Sequence, residues 1–164
     1  MRITAAIIMK RTASIFFLIV LGLLTFVSCE KKEQDTFVDL GLTSGTKWQS
    51  VPTYNYRTFQ EASQLQEGTI PTKAQFEELI SECTWEWQTS SYKITGPNGK
   101  FITLYAGGKK YPRESEIADK GRLGCYWSST EKEQGIVYYL EFTTERHEIS
   151  YRSTEGYGSV CAVK

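Results

Sequence analysis

Hydrophobic residues are concentrated at the start of this chain of 164 residues. Later in the chain they follow either the spacing of a helix or the alternation of a strand. No residue from Ala13 to Val27 carries a charge, Lys10 and Arg11 precede this stretch, and Cys29 comes two residues after it. A helix that crosses a bilayer needs about 20 apolar residues, so the shorter stretch with these flanks is typical of a signal peptide. We therefore predict a signal peptide over residues 1–28.

Two helices are predicted by their capping residues. Thr58-Phe59-Gln60-Glu61 and Thr72-Lys73-Ala74-Gln75 both have the form in which a threonine hydroxyl and a side chain three residues later bind unpaired amides. Behind the second cap, apolar residues recur with the i, i+3, i+4, i+7 spacing of an amphipathic helix, whose buried face they should form. These residues are Phe76, Leu79, Ile80 and Cys83.

Alternation of apolar and polar positions predicts strands over most of the remaining chain. Residues 37–42 and 47–51 come before the helices, and only strands are predicted after them. Gly96-Pro97-Asn98-Gly99 is a strong hairpin turn between two of these later strands. The order indicates an α+β fold with two short helices and a mainly antiparallel, twisted sheet. The later strands are predicted around residues 85–87, 92–95, 101–105, 125–128, 136–143, 147–152 and 159–163.

A long loop from Ala106 to Gly124 interrupts the strands and contains glycines and charges of both signs. Loops of this length in compact domains are usually functional or mobile. Tyr111 lies there among three cationic residues, so its ring is expected to be exposed and available for binding. The candidate ligand-binding residues of the loop are Lys109, Lys110, Tyr111 and Arg113.

Trp85 and Trp87 are the second candidate binding residues, because they should share one face of a strand. Indole rings offer flat faces to sugar rings or to a partner protein. The alternative is that both rings pack in the core or against neighbouring strands, which is the commoner role of aromatic residues in a sheet.

Charge and composition argue against several function classes. A chain that starts at Cys29 loses the basic residues Arg2, Lys10 and Arg11, which leaves 16 basic and 19 acidic residues and a formal charge of −3. Without a basic excess, nucleic acid is not expected as a partner. The sequence indicates no cofactor, since the single histidine, His147, has no metal-ligand spacing around it. No arrangement of nucleophile and base indicates an enzyme.

Three cysteines follow Cys29 in the sequence, namely Cys83, Cys125 and Cys161. An exported protein can form disulfides, and three cysteines allow at most one bridge within the chain. All three pairings stay open on the sequence alone.

Phe26-Val27-Ser28-Cys29 resembles the lipobox of bacterial lipoproteins, in which the cysteine is acylated and becomes the first residue. On this interpretation the lipid on Cys29 attaches the protein to a membrane, residues 29–35 form a hydrophilic tether, and residues 36–164 form one domain. Met9 is an alternative start to Met1, because Met9-Lys10-Arg11 would begin a compact signal peptide.

Five further segments resemble, in order, the signatures of the Fibrobacter succinogenes major paralogous domain family. That family occurs in secreted proteins and lipoproteins of Bacteroidetes and is similar to C-type-lectin-like domains. The resemblance covers nearly all of residues 37–164. Its five segments are Val38 to Trp48, Pro71 to Ile80, Cys83 to Trp87, Thr95 to Lys100 and Tyr126 to Thr130.

The resemblance implies a C-type-lectin-like fold and a lipid-anchored module that binds a glycan or a protein partner, without catalysis, at the outer membrane. The charged residues after Cys29 are similar to segments that assist surface export, so the protein could face either the periplasm or the cell surface. The calcium-binding sequences of the lectins are not present in the chain.

Two other functions are alternatives to a binding module. The first is a structural or accessory subunit of an envelope complex, in which the same loop docks to a protein. The second is a relative of the formylglycine-generating oxidases, which Gly158 to Val163 resembles, although the close cysteine pair of those enzymes does not occur in the sequence. A bridge of Cys161, which resembles the last cysteine of lectin-like domains, would have to use Cys83 or Cys125.

Overall fold

The computed structural model of this protein describes residues 36–52, 56–66 and 68–164. These residues form an α+β fold of mainly antiparallel strands with two helices, as the order of sequence patterns predicts. The predicted signal peptide, the tether and Cys29 lie outside the described residues.

The strands of the described residues form two pairs and two three-stranded sheets, and all neighbours within them are antiparallel. β1 pairs with β2, β3 pairs with β10, β5 lies between β4 and β6, and β8 lies between β7 and β9. The elements are β1 (Phe37–Asp39), β2 (Lys47–Gln49), β3 (Arg57–Thr58), α1 (Phe59–Ala62), α2 (Lys73–Glu82), β4 (Thr84–Gln88), β5 (Ser91–Thr95), β6 (Phe101–Tyr105), β7 (Gly124–Glu133), β8 (Ile136–Phe142), β9 (His147–Ser153) and β10 (Tyr157–Gly158).

Both predicted helices begin at the predicted caps. The hydroxyl of Thr58 accepts a hydrogen bond from the Glu61 amide, and that of Thr72 accepts one from the Gln75 amide. In each case the side chain of the third residue also binds the capping residue's own amide, so both capping boxes are complete.

The buried face of α2 contains Phe76 and Leu79, as its spacing predicts. Cys83 differs from the prediction, since it is the extended residue that ends the helix and is half-buried. The apolar spacing extends to Cys83, but the helix ends at Glu82, because Cys83 already has the extended backbone conformation of the following strand, β4.

The largest hydrophobic core lies where α2 meets the two three-stranded sheets. Trp48 from β2 is fully buried there and lies 5.5 Å from the ring of Phe76, measured between ring centroids. Fully buried side chains from the sheets complete this core, so the helix covers apolar faces that would otherwise contact water. They include Ile94, Ile102, Leu104, Leu140 and Phe142.

The predicted strand over residues 159–163 is wrong as a continuous element. Ser159 forms a parallel bridge to Tyr126, whereas Val163 forms antiparallel bridges to Trp48 and Thr69. The segment therefore changes partners along its length. Its apolar pattern reflects burial between several elements, because residues 158–163 are all buried.

The three cysteines of the domain are free thiols. Burial raises the pKa of the Cys125 thiol to about 12 and that of Cys83 to about 11. Cys161 is completely buried, and burial also raises its pKa. None of the three is therefore present as a reactive thiolate near neutral pH.

α1 and α2 are the helices of the described residues, and neither has the length and hydrophobicity that a bilayer-spanning helix requires.

Candidate functional site

The long loop between β6 and β7 is closed at its base rather than exposed throughout. Lys109 and Ala118 form an antiparallel bridge in which each amide donates to the other residue's carbonyl at 2.9 Å. Gly108 has a φ of +90°, and a Cβ at this position would lie 2.4 Å from the Ala118 carbonyl oxygen, so only glycine fits. The expectation of an exposed loop is wrong for residues 106–108, which are buried, and correct for residues 111–116.

Lys109 is less exposed than the sequence suggested. Its side chain is only 21% exposed, and its Nζ lies 3.8 Å from a carboxylate oxygen of Glu141. The same ammonium group lies over the rings of Tyr111 and Tyr139, at 5.6 and 5.8 Å from their centroids. Lys109 therefore links the loop to β8, and it supports the ring of Tyr111 from one side.

Tyr111 is the exposed aromatic residue of the loop, with 43% of its surface accessible. Lys110 precedes it and places its Nζ over Tyr157, 5.1 Å from the ring centroid. Arg113 follows at the exposed tip with a positive φ of 70°. The structure thus brings Lys109 and Tyr111 together, whereas Lys110 contacts β10.

Arg152, on β9, is a residue that the sequence patterns did not single out. Its Nη1 donates to the Tyr157 carbonyl at 3.1 Å, and its Nη2 donates to the Lys110 carbonyl at 3.4 Å. The guanidinium lies over the rings of Trp127 and Tyr139, at 5.2 and 5.8 Å from their centroids. These contacts hold a half-buried cation beside the predicted loop.

Gly156 leaves the space that this guanidinium occupies. A Cβ built on Gly156 would lie 2.1 Å from Nη2 of Arg152. Any larger residue would therefore have to displace the arginine.

These residues enclose a groove of about 210 Å³ between the loop and the turn that joins β9 to β10. We call it the tip groove. It contains the exposed ring of Tyr111, two cations and one exposed carboxylate, which suits hydrogen bonding to a small polar ligand that also has a flat face. Its lining residues are Lys109, Tyr111, Pro112, Arg152, Ser153, Glu155 and Gly156.

Glu141 lies behind the tip groove and its charge is fully engaged. The carboxylate is 14% exposed, lies 3.8 Å from Lys109 and 3.6 Å from Arg146, and accepts a hydrogen bond from the Tyr139 hydroxyl. Burial, and then the bond to Glu141, raise the pKa of Tyr139, which therefore keeps its proton and continues to donate.

A second groove, of about 500 Å³, lies at the base of the same loop. Two carboxylates, one guanidinium and two hydroxyls line it, together with the half-buried Leu123, and none of its lining residues is aromatic. It is larger than the tip groove but offers no ring face. Its lining residues are Asp119, Arg122, Leu123, Thr143, Thr144 and Glu145.

Trp85 and Trp87, the second pair of candidates, pack against the core. The Trp85 indole donates from Nε1 to the Leu79 carbonyl at 3.2 Å and stacks on His147, with 4.4 Å between ring centroids and 9° between planes. Trp87 lies edge-on to Tyr92 at 5.0 Å. Both rings are half-buried against the main core, so packing accounts for their position. We call these two residues, with Tyr92, Phe142 and His147, the tryptophan cluster.

His147 is part of this packing. Its Nδ1 is buried and has no hydrogen-bond partner among the described residues, and burial lowers the pKa of the imidazole. Within residues 36–52, 56–66 and 68–164, no group of three or more histidine, cysteine or acidic side chains is arranged to hold a metal ion.

No family model, curated protein or solved structure matches this chain.

Proposed function

We propose that this protein is a lipid-anchored, C-type-lectin-like module of the outer membrane that binds a glycan in the tip groove. The observation that carries the proposal is the exposed ring of Tyr111, which Lys109 supports and which lies in one groove with Arg152. Sugar rings bind to exposed aromatic faces whose surroundings supply hydrogen-bonding groups, and the tip groove has both features.

The family resemblance supports the lectin-like part of this proposal. Its first segment forms β1, a turn and β2, which brings Trp48 into the core. Its second segment begins α2 at the Thr72 cap, and its fourth forms the hairpin turn between β5 and β6. The segments that carry the resemblance therefore have structural roles in the domain, as signatures of a fold should.

Glycan arrays on the soluble domain test the binding function. We expect Tyr111→Ala to weaken binding of the recognised glycan by about tenfold, because the ring is the exposed contact surface. Phe101→Ala is the matched control, since Phe101 is also exposed, at 52%, but lies on β6 outside the groove.

Two outcomes of this experiment would contradict the proposal. Undiminished glycan binding by Tyr111→Ala would place the site elsewhere. If no glycan bound, and the wild type but not Tyr111→Ala captured an envelope protein from membrane extracts, the accessory-subunit alternative would replace the glycan-binding proposal.

Membrane attachment is tested separately. We expect Cys29→Ala to abolish palmitate labelling and membrane fractionation, because stable anchoring requires the two acyl chains of a lipidated cysteine. Cys83→Ala, at a half-buried thiol of the domain, is the control and should fractionate like the wild type. A Cys29→Ala protein that stayed in the membrane would overturn the anchoring part of the proposal.

A further inference from the structure

We infer that the ligand of the tip groove carries a carboxylate, as in a uronic acid unit of a glycan, and that Arg152 binds this carboxylate. The inference rests on the proposed glycan binding and specifies the class of sugar.

Among the described residues, the charge of Arg152 has no acidic partner. The side-chain ion pairs of the described residues join Lys73 to Glu77, Lys93 to Glu86, Lys109 to Glu141, and Arg146 to Glu141 and Glu148. Arg152 is in none of them, although it is half-buried. Removing a charge from water is costly unless an opposite charge compensates it, so the position is suited to an anion supplied from outside.

The guanidinium also keeps hydrogen-bonding capacity. Arginine has five N–H donors, and in Arg152 two of them bind the carbonyls of Tyr157 and Lys110. The remaining donors belong to a planar group that matches the two oxygens of a carboxylate.

The arginine is held in place before any ligand binds. The rings of Trp127 and Tyr139 lie against its guanidinium, and the missing side chain at Gly156 leaves it room. A fixed side chain loses little conformational entropy when it binds a ligand, so these contacts favour binding.

Electrostatics of the groove also favour an anion. The chain beyond residue 28 is acidic overall, yet the residues that line the groove include two cations, Lys109 and Arg152, and only one carboxylate, Glu155. Glu141 is already bound to Lys109 and Arg146, whereas Glu155 is exposed at the edge and makes no ion pair with Arg152.

The shape of the groove favours a sugar acid over an acidic peptide. A volume of about 210 Å³ is small, and the apolar surfaces of Tyr111 and Pro112 stand beside the arginine. A pyranose ring with a carboxylate can contact the tyrosine face and the guanidinium together. A peptide would need an extended surface that the groove does not provide.

Calorimetry on the full-length lipoprotein in detergent tests the inference, with an oligogalacturonide and its carboxyl-reduced form as probes. The reduced form keeps the ring and the linkage but lacks the charge. We expect the wild type to bind the uronate at least about tenfold more tightly than the reduced form, because a charge-assisted pair with Arg152 is lost on reduction.

Three variants test whether Arg152 is the source of this preference. Arg152→Gln should lower affinity for the uronate to about that for the reduced form, whereas Lys93→Gln, which removes a positive charge on β5, should change it less than about twofold. Glu155→Gln should raise the affinity for the uronate, because it removes a competing negative charge. The affinity for the reduced form should rise less. Glu155→Gln keeps the test valid even if Arg152→Gln unfolds.

The outcomes separate this inference from the function on which it rests. Equal binding of both probes would overturn the inference that the ligand carries a carboxylate, but the proposal of a glycan-binding groove would stand. Failure of the wild type to bind any glycan would overturn the proposed function itself. Equal, Arg152-dependent binding of an aspartate- and glutamate-rich peptide would overturn the assignment to sugars.

Discussion

Aromatic side chains gather in two regions of this molecule, and their neighbours differ. In the tryptophan cluster, rings contact other rings, and the polar atom of Trp85 is satisfied by a carbonyl of α2. At the tip groove, the rings of Tyr111, Trp127 and Tyr139 contact cations, and Trp127 also lies edge-on to Phe59. The first arrangement excludes water and stabilises the fold, whereas the second holds charges beside a groove.

The residue type of an aromatic side chain does not by itself show whether the ring packs in the core or is available for binding. Trp85 and Trp87 have larger rings than Tyr111 and alternate along a strand, which made them the second pair of binding candidates. Trp85 lies beside Leu79 and His147, and Trp87 lies beside Tyr92 and Phe142. Both are half-buried against the main core, which makes them packing residues. The neighbours in space, rather than the residue itself, distinguish the two regions.

The largest expected effect is a difference in stability between the two regions. Trp85→Ala should lower the free energy of unfolding by about 3 kcal/mol, because it leaves a cavity beside Tyr92 and His147. Tyr111→Ala should change it by less than about 0.5 kcal/mol, as exposed substitutions usually do. Chemical denaturation followed by circular dichroism measures both, and equal losses would remove the distinction between packing and binding rings.

The sequence predicted the elements that depend on local residues. Thr58 and Thr72 cap α1 and α2 through side chains within one helical turn. The turn Gly96-Pro97-Asn98-Gly99 joins β5 to β6, with the Gly96 amide donating to the Lys100 carbonyl at 2.9 Å. Such contacts lie within a few residues of sequence, which is why a pattern can reveal them.

Elements that depend on distant partners were predicted less well. β7 continues past the predicted end at Ser128 to Glu133, although most of the added residues are polar and exposed. Pairing with β8 maintains this extension, with register shifts after Trp127. Neither the pairing nor the shifts produce a hydrophobic pattern in the sequence. The two-residue strands β3 and β10 likewise depend on partners that are distant in sequence.

The same reason explains what the sequence revealed of the candidate site. Lys109, Lys110, Tyr111 and Arg113 were found because they are adjacent in one polar loop. Arg152 and Gly156 lie about forty residues further along and reach the loop only through the tertiary fold. Nothing in the sequence indicated that the turn between β9 and β10 would meet this loop.

A smaller loss of stability is expected when a side chain is added at Gly156, beside the tip groove. Gly156→Ala should cost about 1 to 2 kcal/mol, because its Cβ displaces the Arg152 guanidinium from the carbonyls that it binds. In an Arg152→Gln background the shorter side chain leaves space, so the same substitution should add little further loss. A double-mutant cycle measured by denaturation checks this coupling, and strictly additive losses would contradict it.

The smallest expected effect is a pH dependence that belongs to the tryptophan cluster alone. His147 is the single histidine of the chain, and burial lowers its pKa below the ordinary value of about 6.5. As the pH falls through that value, the unfolded chain takes up a proton that the folded protein resists. Stability should therefore be fully present above about pH 6.5 and decline as the pH falls towards the lowered pKa.

Two variants distinguish this effect from the titration of other groups. His147→Phe keeps a ring stacked on Trp85 and should flatten the dependence of the melting temperature on pH between about 5.5 and 7.5. Tyr111→Phe, in the tip groove, should keep the wild-type dependence, because it leaves His147 unchanged. Arg146 and Glu148 flank His147 along the chain and are joined by an ion pair of 3.4 Å in the wild type, so both variants keep the charges beside it. A slope that survived in His147→Phe would show that groups outside the tryptophan cluster control the response to pH.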